Sequence, residues 1–91
     1  MTLTEFKVEY TPKAVKQLAK LDKSTRKLIY AWIDKNLQNC SDPRAHGKGL
    51  TANRSGQWRY RIGDYRIIAD IQEDKIIILI LEIGHRKDIY S

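Results

Sequence analysis

Residues 6–10, FKVEY, alternate apolar and charged side chains, the period of a half-buried β-strand. Thr11-Pro12 then reads as an N-cap followed by proline at the first helical position. From there Ala14, Val15, Leu18, Ala19 and Leu21 recur at helical spacing, while Lys13, Lys16, Lys20 and Lys23 lie mostly elsewhere around the cylinder. The pattern predicts one amphipathic helix of about three turns. A break at 22–24, with Ser24 as a second N-cap, leads into Leu28, Ile29, Trp32, Ile33 and Leu37, which keep the i, i+4 rhythm. Two such helices should form an αα-hairpin whose shared apolar stripe needs a surface to cover.

Residues 39–56, NCSDPRAHGKGLTANRSG, hold most of the turn formers and no periodicity, and read as a long loop, a kind that is often functional. The remainder reads as β: 57–62, a Gly63-Asp64 connection, 65–71, the turn QEDK, and 76–83. The last of these, IIILILEI, is nearly continuous and rich in β-branched residues, as expected of a strand covered on both faces. The predicted order is β-α-α-β-β-β, an α+β fold in which a helical hairpin packs on one face of a small, mainly antiparallel sheet.

Ninety-one residues suffice for one domain, taken as 1–91, and no repeat is visible. Seventeen Lys and Arg against 11 Asp and Glu give a formal charge of +6, so the natural partners are anionic, nucleic acid first and acidic protein second. The start, MTLTEFKVEY, has neither the apolar core of a secretion signal nor the bias of a transit peptide, and the apolar run 76–81 is too short to span a bilayer. A cytoplasmic protein without membrane attachment is expected. Cys40 has no second cysteine to pair with, and with only His46 and His85 beside it no metal site and no cofactor are expected.

The stretch 57–71, QWRYRIGDYRIIADI, puts three arginines within eight positions. With Gly63-Asp64 as a two-residue hairpin turn, Ile62 faces Tyr65, Arg61 faces Arg66, Tyr60 faces Ile67 and Arg59 faces Ile68. Side chains alternate, so Trp58, Tyr60, Ile62, Tyr65, Ile67, Ala69 and Ile71 share one face and Arg59, Arg61 and Arg66 the other. Like charges placed opposite each other destabilise a strand pair by roughly 0.2–1 kcal/mol, a cost that a phosphate-binding surface explains. The structural alternative is a solvated face whose arginines pair with carboxylates such as Asp70 or Glu82.

The ending GHRKDIY, 84–90, follows the last strand and adds His85, Arg86, Lys87 and Tyr90, residues that bind phosphate or carry protons. The loop HGKG sets Lys48 between two glycines, where backbone N–H groups would clamp a phosphate; it lacks the glycine and the Ser or Thr of a Walker A motif. No serine sits on a nucleophile elbow.

The order β-α-α-β-β-β, the segment GQWRYRIGDYRII and the ending GHRKDIY together resemble the RelE/ParE superfamily of bacterial and archaeal toxins of type II toxin-antitoxin systems, and its RelE side more closely. The resemblance spans essentially the whole chain. It implies an endoribonuclease that enters the ribosomal A site and cuts mRNA there, restrained by a cognate antitoxin, the complex of the two binding its operator DNA. Carried onto this chain, the family's working groups are Arg59 and Arg61 on one strand, Arg66 on the next, and Arg86 and Tyr90 in the tail. Together with the residues read from the tail and the HGKG loop, this gives an expected catalytic set of Arg61, Arg66, Arg86, Tyr90 and His85, with Arg59, Lys48 and Lys87 holding RNA. The best-known member has lysines in place of Arg59 and Arg61; an arginine stays protonated, which leaves the base role to Tyr90, His85 or a nearby lysine. The ParE side of the superfamily inhibits DNA gyrase without cutting RNA, and that reading, with a plain nucleic-acid-binding module, stands as the alternative.

Overall fold

The computed structural model describes residues 4–89. The elements are β1 (Lys7–Tyr10), α1 (Pro12–Ala19), α2 (Lys23–Asn36), β2 (Lys48–Gly49), a 3₁₀ turn (Ala52–Arg54), β3 (Trp58–Ile62), β4 (Tyr65–Gln72) and β5 (Ile77–His85). They build one five-stranded sheet in the order β1-β5-β4-β3-β2, antiparallel except where β1 runs parallel to β5. Both helices lie on one face, so the expected α+β architecture is present. The sheet gains one strand, because β2 forms inside the segment expected to be a loop.

Thr11 caps α1 by accepting the Ala14 N–H at 3.1 Å, with Pro12 in the first turn. The α2 cap is Asp22 rather than Ser24: its carboxylate accepts the Thr25 N–H at 3.1 Å and the hydroxyls of Ser24 and Thr25 at 2.6 Å. A carboxylate two residues earlier outcompetes a hydroxyl because it also takes the hydroxyls themselves as donors. Those bonds, from Ser24 first and then Thr25, pull Asp22 from its ordinary 3.8 to about 2. A folded value below the unfolded one stabilises the native state above about pH 4, and that contribution is lost as the pH falls towards 2. Asp22→Ala is therefore expected to melt earlier than the wild type at neutral pH, with the gap narrowing between about pH 4 and pH 2; a gap that stays constant over that range refutes the cap.

The core between helices and sheet is built from Ala14 and Leu18 of α1, Ile29, Ile33 and Leu37 on the α2 side, and Tyr60, Ile62, Ile67, Ala69, Ile78, Ile80 and Ile83 from the sheet. Three residues expected in the helical stripe are outside it: Val15 is 49% and Leu28 60% exposed, and Ala19 is exposed too. Each lies beside the buried positions of its helix, and a small sheet covers only a narrow arc of a helix surface.

β5 carries the register change that sets its two faces. Ile68 opposes Glu82 but Ala69 opposes Ile80, which leaves Leu81 as the extra residue of a β-bulge. The slip lets Ile78, Ile80 and Ile83 all reach the helical core although their numbers do not share parity. On the opposite face Leu81 packs with Ile68, Leu50 and Ile89 in a second, smaller apolar cluster. Past Ile80, where β1 ends, α1 covers the edge of β5: the Leu81 carbonyl accepts from the Thr11 hydroxyl at 3.1 Å, and the Ile83 N–H donates to Gln17 Oε1 at 2.7 Å.

Candidate functional site

The hairpin β3–β4 has the register that alternation predicts: Arg59 opposite Ile68, Arg61 opposite Arg66, Ile62 opposite Tyr65. Gly63 takes φ +57°, the sign required at the first position of a type II′ turn. Tyr60 and Ile67 are buried towards the helices, so Arg59, Arg61 and Arg66 fall together on the face away from them. Lys48 opposes Arg59 across β2–β3 and therefore joins that face. Lys48 and Gly49 of HGKG form the short strand paired with β3, and Lys48 brings its side-chain charge to that face.

The row across the sheet runs Arg61, Arg66, Gly84. Gly84 leaves the space beside Arg66 open to the tail: a Cβ there would lie 3.0 Å from Ile89 Cδ1. The chain turns after His85, with the Arg86 N–H donating to the Asp64 carbonyl at 2.7 Å and the Asp88 N–H to the His85 carbonyl at 2.8 Å, and Ile89 docks beside Ile68 and Leu50. The tail thus folds back onto the arginine face. Tyr90 lies outside the described residues.

Arg66 is the centre of the cluster. Its Nη1 is buried without a hydrogen-bond partner among the described residues. Burial first, then Arg61, Arg59 and Arg86, lower its affinity for its proton, with Asp64 opposing them. The carboxylates proposed as its structural partners are engaged elsewhere. Glu82 binds Lys13 at 3.0 Å and Arg54 at 2.7 Å, and Asp70 accepts from Gln72 at 3.0 Å. Burial would raise the Glu82 carboxyl, but its bonds from Lys13 and Arg54 outweigh this and hold it below the usual range. Arg86 Nε is 3.7 Å from Asp64 Oδ1, a loose pair with both side chains more than half exposed. A half-buried guanidinium ringed by others and short of one acceptor has the donor and the charge that an anion would satisfy.

His85 is not on this face. It opposes Tyr65 on the helical side, the rings meeting edge to face at 5.5 Å between centroids. Its Nδ1 accepts the Lys87 N–H at 3.2 Å. Lys87 itself is exposed on the tail. The structure therefore brings Arg59, Arg61, Arg66 and Lys48 together, sets Arg86 at their margin, and separates His85 from them.

Sequence reasoning did not see the cleft at the free end of β3. It measures about 560 Å³ and is lined by Trp32, His46, Gly47, Lys48, Arg59 and Arg61. From the sequence, His46 reads only as a candidate metal ligand and Trp32 only as core; among the described residues no three His, Cys, Asp or Glu side chains converge to hold a metal. The available signal was the glycine pair around Lys48, which marks a backbone held close to something.

The family model for the ParE toxin of type II toxin-antitoxin systems matches residues 8–90. The chain belongs to that family. This toxin is also similar to solved toxin-antitoxin structures. With the RelBE2 complex of Mycobacterium tuberculosis it shares 25% identity and a TM-score of 0.83, over 93% of this chain and 95% of that one. With the archaeal RelE-RelB complex of Pyrococcus horikoshii the figures are 25% and 0.69, over 93% and 99%. The isolated RelE toxin of Escherichia coli, 15% identical with a TM-score of 0.68 over 88% and 83%, shares the fold. No curated protein sequence matches the chain. The fold and the superfamily expected from the arginine strands and the tail are the ones found.

Proposed function

We propose that this toxin is a ribosome-dependent endoribonuclease that cuts mRNA in the ribosomal A site and so stops translation. The observation that carries the reading is Arg66, its buried Nη1 unpartnered and Arg61 directly opposite. An anionic phosphorane satisfies both the missing hydrogen bond and the mutual repulsion.

RNA supplies its own nucleophile, and the chemistry needs no metal. The 2′-oxygen attacks the adjacent phosphorus, the P–O5′ bond breaks, and a 2′,3′-cyclic phosphate and a free 5′-OH result. Arg61 and Arg66 hold the scissile phosphate and stabilise its added charge, while Arg59 and Lys48 bind the neighbouring backbone. Arg86, tethered loosely to Asp64, hydrogen-bonds the leaving oxygen, which takes its proton from solvent. Tyr90, which lies outside the described residues, is assigned as the base towards the 2′-OH; His85 faces the helical side and is assigned no proton transfer. Lacking a strong base, the protein leaves alignment of the RNA to the ribosome, and naked RNA is expected to be cut poorly. The same reading gives it a cytoplasmic site of action, a cognate antitoxin that covers the arginine face, and operator DNA as the target of the complex. No helix among the described residues is long and apolar enough to cross a membrane.

The match to the ParE toxin model favours a second reading, a non-enzymatic gyrase inhibitor on the same fold. A reconstituted translation reaction, with mRNA 5′ ends mapped by primer extension, separates the two. Cuts at the A-site codon that require ribosomes are expected, weakened about 10²-fold or more in Arg61→Ala and strongly in Tyr90→Phe. Intact mRNA together with failed supercoiling in a gyrase assay makes this toxin a gyrase inhibitor instead.

A further inference from the structure

The cleft at the free end of β3 is built with more care than a loop crossing requires. Three contacts pin the crossing segment to the strand: the Tyr60 hydroxyl donates to the Pro43 carbonyl at 2.5 Å, the Trp58 indole N–H to the His46 carbonyl at 2.6 Å, and Gly47 at φ +83° lies flush against the backbone of Arg59. Arg44 adds its guanidinium over the Trp58 ring at 5.8 Å. The result is that His46, exposed, stands edge to face with half-buried Trp32 at 5.8 Å and an interplanar angle of 71°. Trp32 is held from behind by Tyr60, 5.6 Å away. Two rings nearly at right angles form a rigid aromatic corner, and Lys48, Arg59 and Arg61 line the same cleft. Its volume of about 560 Å³ falls within the range of small-ligand sites.

A flat ring on the aromatic corner with an anion on the cationic side is the outline of a nucleotide. Stacking on protein rings is tolerant of base identity and adds to backbone binding rather than replacing it. The cleft opens at the strand edge beside Arg59 and Arg61, so a chain whose phosphates cross the arginine face can turn one base over that edge.

We propose that the corner of Trp32 and His46 is a nucleobase subsite, holding one base of the RNA strand whose phosphates lie on Arg59, Arg61 and Lys48. It deepens the ribonuclease reading and rests on it for the identity of the strand. The subsite sets which nucleotide next to the cut is gripped, whereas Arg61 and Arg66 act at the cut itself.

The test is a titration of the isotopically labelled toxin with AMP, UMP, ribose 5-phosphate and inorganic phosphate, followed by NMR. AMP and UMP are expected to shift the backbone amides of His46 and Gly47 and the Trp32 indole N–H, and to bind at least about fivefold tighter than ribose 5-phosphate. His46→Ala, a change at an exposed side chain, is expected to bring both nucleotides down to the ribose 5-phosphate affinity and leave inorganic phosphate unchanged. Equal affinities for ribose 5-phosphate and nucleotides in the wild type, or shifts confined to the arginines, overturn the subsite. Binding is read without ribosomes, so the outcomes separate. Intact mRNA in translation with nucleotide shifts at His46 leaves the subsite standing and removes the nuclease. A-site cuts with no preference for nucleotides over ribose 5-phosphate do the reverse.

Discussion

Arg66→Met is expected to lose about 10²- to 10³-fold of ribosome-dependent mRNA cleavage while melting at a higher temperature than the wild type. The two effects share one cause. In the resting protein the Arg66 guanidinium has a buried Nη1 without a hydrogen-bond partner and is pressed by burial and by Arg61, Arg59 and Arg86. A buried donor left unmade costs about 1–3 kcal/mol, and methionine keeps the apolar stem while removing both the donor and the charge. On the proposed ribonuclease reading, the same donor meets the phosphorane in the reacting complex, the one moment its position is favourable. Removing a donor aimed at developing charge is costly in rate and nearly neutral in ground-state binding. The measurement is a pair: cleavage rate in the reconstituted translation reaction, and a thermal melt of the free toxin. A destabilised variant would mean that Arg66 is bound by the protein itself and was not waiting for an anion. Unchanged cleavage would remove it from the active face.

Gly47→Ala carries the largest expected loss of stability. Its φ of +83° is left-handed backbone, and a Cβ there would collide with the Arg59 carbonyl oxygen while lying 2.7 Å from Trp58 Nε1 and 3.0 Å from Tyr60 Cδ1. The left-handed conformation costs roughly 1–2 kcal/mol for an L-residue and overpacking a further 1–3 kcal/mol, about 3 kcal/mol together. In a domain of this size that lowers the melting temperature by roughly 15 °C. The colliding atom is backbone of β3, which cannot swing aside as a side chain would. Relief requires lifting the segment, and with it the Trp58 bond to His46. Gly56→Ala is the matched control: its φ is +94°, but nothing lies within 4 Å of the added Cβ, so only the left-handed cost of roughly 1–2 kcal/mol is expected. Equal losses from the two substitutions would show that Gly47 is kept for its dihedral alone, and that the close approach to β3 plays no part.

The β3–β4 hairpin was legible because its information is local. A two-residue turn fixes the register, the register fixes the faces, and one pass of alternation was enough to put Arg59, Arg61 and Arg66 together. The helices and the cap at Thr11 were legible for the same reason, since a helix writes its period into neighbouring positions. Where two local candidates competed, as Asp22 and Ser24 did for the cap of α2, sequence reasoning took the hydroxyl and the fold took the carboxylate.

Three things were decided only by tertiary structure. The bulge at Leu81 turned Glu82 to the arginine face and Ile83 to the core, and nothing in IIILILEI marks where the slip occurs. By that count His85 landed opposite Tyr65, on the helical side and away from Arg66. The segment 39–56 has no period of its own, and side-chain contacts that fix it reach 12 to 28 positions along the chain: Trp58 to His46, Tyr60 to Pro43, Arg54 to Glu82. The sequence alone determined which strand pair carries the cations, since that follows from a spacing of two residues; which of those cations is left short of a partner depended on where every distant carboxylate went, and only the folded chain assigns them.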